Sequence, residues 1–243
     1  MNDPWALLRR ATAARIGLGH VGGSLPTRAV LDFQLAHAAA RDAVLLPWDS
    51  ATFSPEGWEV LRARSRATDR ADYLRRPDHG RRLAEGTAFS EVAPHDLSLV
   101  VSNGLSSAAV ERHAEALLAA IRGASEGLLL GPVVVVADAR VAIGDEVGSQ
   151  LGSPAIAVIL GERPGLSSAD SLGIYLTFGP RPGRTDAERN CLSNVRPDGL
   201  PLEVAAAKLT WLAREALRRR LTGIALKDEA PTNRPGGRLA VRS

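Results

Sequence analysis

Two hydrophobic periodicities divide the chain near residue 96. Before it, stripe positions recur at three- and four-residue spacing: Trp5, Leu8 and Ala11 within 4–17, then Val30, Phe33, His37 and Ala40 within 26–44. That spacing predicts helices, and Pro4 suits the first turn of the earlier one. GLGHVGGS (17–24) breaks the pattern between them. Segment 45–76 predicts a weaker helix at 55–65, and 77–92 another short one. Residues 1–95 are therefore expected to form a helical N-terminal region that serves as an interaction surface.

Beyond residue 96 four compact apolar runs appear: 97–101 (LSLVV), 133–136 (VVVV), 155–160 (AIAVIL) and 174–178 (IYLTF). The second and third are continuous, as in strands covered on both faces. Between the first two, Val110, Leu117 or Leu118 and Ile121 trace a helical stripe; after the last, Val204, Leu209, Leu212 and Leu217 trace another. Strands alternating with helices predict an α/β unit over 96–226, a Rossmann-like parallel sheet flanked by helices. The tail from Lys227 to Ser243, polar and broken by Pro and Gly, is expected to be disordered.

Composition sharpens this in three places. No stretch approaches the ~20 apolar residues of a membrane span, and the N-terminus lacks the basic and apolar blocks of a signal peptide. A single cysteine, Cys191, excludes an internal disulfide and a multi-thiolate metal site, which suits a reducing cytoplasm. The net charge is only +3, carried almost wholly by scattered arginines, and aromatic residues make up 4%, few for stacking bases. Nucleic acid is not an expected partner.

Ligands of open parallel sheets bind at the carboxyl ends of the strands. Four polar loops follow the four runs: SNGLSS (102–107), ADARVAIGDEVG (137–148), GERPGLSS (161–168) and GPRPGRTDAERNCLSN (179–194). They are expected to form one continuous rim. In GERPGL, Glu162 is either half of an exposed turn ion pair or an acceptor for ligand amides, with Arg163 as an anchor. Arg140 and the Asp145/Glu146 pair are a helix start or a rim contact. Cys191 has no histidine near it in sequence and reads as a small hydrophobe, not a nucleophile. There is no GxGxxG after the first strand, no GxxxxGK[ST], GxSxG or HExxH. The five histidines (His20, His37, His79, His95, His113) are dispersed, and no metal site is expected. A ligand rim without an acid/base or nucleophile set points to a bound cofactor whose chemistry happens elsewhere; the competing reading is a stand-alone nucleotide- or phosphate-binding protein.

LRRATAARIGLGHVGG, RADYLRRPDHGRRL, LVVSNGLSS, ARVAIGDEVGSQLG, VILGERPGLSSADSLGIYLTFGPR, TDAERNCLSNVRPDGL and PLEVAAAKLTWLA, in this order, resemble the small (light) subunit of ethanolamine ammonia-lyase. The resemblance runs from residue 5 to about 222. It implies a hetero-oligomer with a large TIM-barrel subunit, adenosylcobalamin held between the two, and radical deamination of ethanolamine to acetaldehyde and ammonia. It implies that ethanolamine is bound mainly by the large subunit, so no catalytic residue is assigned to this chain. Carried over motif by motif, the cobalamin contacts it implies are Val141, Glu162 and Cys191. Asn103 stands where the family's SDGLS loop has Asp, and the long N-terminal extension of some members is missing. The missing extension leads to the expectation of a cytoplasmic enzyme in preference to one enclosed in a bacterial microcompartment; no DxHxxG appears (PDHG at 77–80 lacks the spacing), so base-on corrin is expected.

Overall fold

The computed structural model describes residues 3–12 and 14–230. Helices α1 (Ala6–Ala11) and α2 (Thr27–Leu45) come first, followed by strand β1 (Val60–Arg64) and helix α3 (Arg70–Arg75). Then come β2 (Leu97–Ser102), α4 (Ser107–Ala124), β3 (Leu130–Ala137), α5 (Ile143–Leu151) and β4 (Ala155–Gly161). Strands β5 (Leu172–Phe178) and β6 (Asn190–Val195) precede the last helix, α6 (Leu202–Arg219).

The six strands form one mixed sheet in the order β1-β3-β2-β4-β5-β6. β1, β3, β2 and β4 run parallel, whereas β5 is antiparallel to both β4 and β6. The α/β class stands, but the expected purely parallel, Rossmann-like sheet does not. Parallel neighbours need a crossover of a dozen or more residues, usually a helix. Only 162–171 separates β4 from β5, and 179–189 holds just one 3₁₀ turn (Asp186–Glu188) before β6. The chain therefore doubles back twice.

This corrects the fourth rim loop. Phe178 pairs with Ala155, the first residue of β4, so 179–189 leaves from the edge opposite the carboxyl ends of the parallel strands. Residues 190–194, expected in that loop, belong to strand β6 (Asn190–Val195), which carries Cys191 back along the sheet beside Tyr175. The helix expected at 55–65 is also corrected: Val60–Arg64 is an edge strand in register with Val133–Ala137. Its alternation sends Leu61 and Ala63 to one apolar face and leaves Arg62 and Arg64 off it. The helix expected within 77–92 is reduced to a 3₁₀ turn at His79–Arg81.

Two apolar layers sandwich the sheet. Leu99, Val101, Val133, Val135, Ala157, Ile159, Ile174 and Leu176 face α4 and α6. Val100, Val134, Val136, Ile156 and Val158 face α5 with Ile143 and Val147. The interior strands β2 and β4 are buried on both faces throughout, which explains their continuous apolar runs. α5 is shorter than its counterparts and covers the β2–β4 side, so Tyr175 and Cys191 lie on the same face beyond it, half-buried and exposed respectively. The leading helices pack sparsely: α2 buries only Ala43. The expected disorder of the tail lies, from residue 231 on, outside the described residues. No helix among the described residues is long and apolar enough to cross a membrane.

Candidate functional site

The carboxyl ends of β2, β3 and β4 converge with the start of β5, because Gly161 pairs with Leu172. The turn after β2 presses onto β4 here: Leu105 N–H donates to the Gly161 carbonyl at 2.8 Å. Position 161 tolerates no side chain, since a Cβ would collide with the Ser106 and Asn103 carbonyls. Ser106 caps α4 by accepting from Ala109 N–H at 3.3 Å, as its residue type predicts. Around this junction lies a cavity of about 450 Å³ whose lining includes Tyr73, Arg140, Val141, Glu162, Arg163 and Tyr175.

Val141 and Glu162 thus meet in one cavity, as two of the three residues the resemblance nominated. Glu162 is held from one side only. Its Oε2 accepts from Ser171 Oγ at 2.7 Å and from Asn194 N–H at 3.0 Å, which fastens the loop after β4 to β5 and β6. Among the described residues its Oε1 accepts no hydrogen bond. The expected alternative, a turn ion pair with Arg163, is not formed; Arg163 is exposed and pairs with no carboxylate among the described residues. Gly173 keeps the space beside Glu162 open: a Cβ there would come within 3.1 Å of Oε1 and 3.0 Å of the Tyr175 ring.

Cys191 does not line this cavity. It sits on β6 directly across from Tyr175, which does. Partial burial pushes the Cys191 thiol up, opposed by the Tyr175 hydroxyl and reinforced by the nearby Glu162 charge. Burial likewise pushes the Tyr175 hydroxyl up, with Cys191 and Glu162 adding to the effect. Cys191 thus stands next to a residue of the cavity wall, on the part of the sheet beyond α5. A raised thiol pKa is the reverse of what a nucleophile needs.

Sequence reasoning missed the other wall. Tyr73, on α3, is fully buried and lies between two guanidinium groups: Arg70 Cζ is 5.0 Å and Arg140 Cζ 4.7 Å from its ring centre. Burial pushes its hydroxyl up to about 12, against the pull of both arginines, and it stays protonated to donate to the Ala139 carbonyl at 3.2 Å. Arg70 is saturated on one side by the Val44 and Gly104 carbonyls and by Asp138 Oδ1 at 2.6 Å. Asp138 in turn meets Asn103, whose Oδ1 accepts from Asp138 N–H at 2.7 Å while its Nδ2 donates to Asp138 Oδ1 at 3.1 Å. Asn103 is therefore a buried strut under the rim. Nothing in the spacing of residues 70–75 marked them for this site, because the approach of α3 to β3 is purely tertiary.

Opposite the rim, Asp145 at the start of α5 and Arg189 before β6 form a buried two-pronged ion pair. Glu146, its neighbour, binds Arg82 and accepts from Leu83 N–H. The Asp145/Glu146 pair is thus a helix start whose acids hold structure, not a rim contact. Three of the five histidines are also spent locally, His79 on Asp72, His95 on Ser98 and Ser153, and His113 on Asp170. Among the described residues no three His, Cys, Asp or Glu side chains gather as a metal site would require.

A family model for the ethanolamine ammonia-lyase light chain (EutC) matches residues 2–227. The chain belongs to that family. The ethanolamine ammonia-lyase small subunits of Bradyrhizobium diazoefficiens and Azotobacter vinelandii are each 52% identical to it, over 239 and 248 residues. These alignments cover 94% and 97% of this chain and 92% of each relative. That of Pseudomonas fluorescens Pf-5 is 52% identical over 94% of this chain and 88% of its own length. All three light-chain relatives match over lengths that include the rim, the Tyr73 wall and both ends of the sheet.

Proposed function

We propose that this chain is the light subunit of an ethanolamine ammonia-lyase and holds one side of adenosylcobalamin against a large catalytic subunit. The observation that carries the reading is the pairing of Val141 and Glu162 in one cavity, with Glu162 Oε1 left unengaged among the described residues.

The residues present suit such a cofactor. Corrin is a flat apolar macrocycle fringed with amides, so it needs an apolar contact, acceptors for amide N–H groups and open space. Val141 supplies the first, Glu162 Oε1 the second, and the missing side chain of Gly173 the third. Cys191 and Tyr175 extend the surface along the same sheet face, beyond the part that α5 covers. When bound, the cofactor supplies the 5′-deoxyadenosyl radical that starts the conversion of ethanolamine to acetaldehyde and ammonia.

This chain's own part is to hold and orient. Ser171 and Asn194 fix the Glu162 carboxylate so that one oxygen faces the cavity, and the Arg189–Asp145 pair fixes α5 relative to β6. Residues 96–226 form the cofactor-holding part, and the exposed apolar side chains of 5–46 serve the subunit interface. Ethanolamine binds mainly to the large subunit. A free, unpaired Cys191 suits the reducing cytoplasm.

The test is corrin retention by the two-subunit complex after gel filtration, compared between the natural chain and Glu162→Ala. Reduced retention by the variant with subunit association intact supports the reading; unchanged retention removes Glu162 from the site.

A further inference from the structure

Half-buried and buried arginines in this protein follow one rule. Arg189 pairs with Asp145, Arg70 with Asp138 and Arg184 with Glu188. Arg140 breaks it. Its guanidinium lies over the Tyr73 ring, 4.7 Å from the centre, and has no carboxylate within 4 Å among the described residues. Its Nε is buried with no hydrogen-bond partner among the described residues. A partner-less guanidinium at the wall of a cavity leaves a costly unmet donor. The backbone around it is fixed: Arg140 N–H donates to the Gly80 carbonyl at 2.7 Å and its carbonyl accepts from Ile143 N–H. Tyr73 holds the plane of the group by stacking.

The charge balance of the cavity agrees. Two arginines, Arg140 and Arg163, line it against one acidic residue, Glu162. Glu162 is tied to the β5–β6 side, whereas Arg140 stands on the Tyr73 side, so the two poles sit on different elements. The Arg140 Nη groups are not buried and make no hydrogen bond among the described residues, and a planar guanidinium fork is a donor that matches the oxyanions of phosphate.

We propose that Arg140 is the anion-binding residue of this cavity and takes the phosphodiester of the cofactor's nucleotide loop. The inference rests on the cofactor reading above and adds an anchor at the cavity wall distinct from the Glu162 acceptor. Arg140 grips charge, Glu162 accepts from amides, and together they set which way round the cofactor lies.

Cobinamide, the corrin without its nucleotide loop, separates the two claims. The assembled two-subunit complex, freed of cofactor, is titrated with hydroxocobalamin and with cobinamide, following the corrin absorbance. Arg140→Gln is expected to weaken cobalamin binding about tenfold and to leave cobinamide binding within about twofold. Arg140→Lys, which keeps the charge but loses the planar fork, is expected to recover part of the cobalamin affinity. Circular dichroism and subunit association of each variant report folding. Equal losses for both ligands, or no loss for either, would overturn the inference while leaving the cofactor reading in place. Failure of the unsubstituted complex to bind either corrin would overturn both.

Discussion

Arg189 reaches from the turn before β6 to grip Asp145 on α5 with both prongs, Nη1 to Oδ1 at 2.8 Å and Nη2 to Oδ2 at 2.7 Å. Both side chains are almost fully buried, 1% and 3% exposed, and Thr177 Oγ1 accepts a further bond from Nη1 at 2.8 Å. The pair links the helix that follows Val141 to the strand that carries Cys191. Two elements that carry the implied cofactor contacts are thereby kept in fixed relation.

Removing one partner of such a pair strands a buried charge. Arg189→Met is expected to lower unfolding stability by about 3–5 kcal/mol, measured by urea titration of the light chain. Asp145→Asn, which leaves the arginine only the exposed Asp186 at 3.4 Å, is expected to cost somewhat less. The double substitution Asp145→Leu with Arg189→Met should recover much of the loss, because the stranded charge is then gone.

At Glu162 the expected change is in affinity more than in stability. Glu162→Gln keeps the shape but weakens the acceptor, and Glu162→Ala removes it. A ligand amide left without its partner costs about 1–3 kcal/mol, or roughly a 5- to 150-fold weaker cobalamin Kd. Equilibrium titration of the complex with hydroxocobalamin reads it directly.

Asn103 uses its amide in both directions against Asp138, so Asn103→Asp replaces a donor with a second carboxylate beside the first. In the folded state the new carboxyl is held above its unfolded value, which is about 3.9. The penalty is therefore absent below that value and grows as the pH rises through the folded-state pKa. Thermal unfolding at pH 4 and pH 7 should show Asn103→Asp close to the natural chain at the lower pH and clearly less stable at the higher.

Cys191 should alkylate slowly for an exposed cysteine. Partial burial pushes its thiol up, so less thiolate is present near neutrality than in a free cysteine. The Tyr175 hydroxyl opposes that shift, and Tyr175→Phe is expected to slow the reaction with iodoacetamide at pH 8 further. Bound cobalamin should protect Cys191 in the complex, read by mass spectrometry.

The strands at 97–101, 133–136 and 155–160 were legible because β2, β3 and β4 are covered on both faces, and burial on both faces writes a continuous apolar run. β1 escaped because an edge strand needs only Leu61 and Ala63 to face the core, and VLRAR carries two arginines that suit a helix equally well. β6 escaped for a related reason: its outward Cys191, Ser193 and Asn194 look like loop residues, and only Leu192 and Val195 are buried. The doubling back of β5 was written in the shortness of 162–171, a cue in loop length and not in periodicity. In the site, GERPGL announced Glu162, but the Tyr73–Arg140 stack joins residues far apart in sequence and has no local signature.

The most direct test of the central claim is co-expression of this chain with its large subunit, followed by assay of acetaldehyde release from ethanolamine with and without adenosylcobalamin. The account predicts that the chains co-purify and that turnover requires both chains and the cofactor. A folded light chain that neither associates with the large subunit nor supports turnover would contradict it.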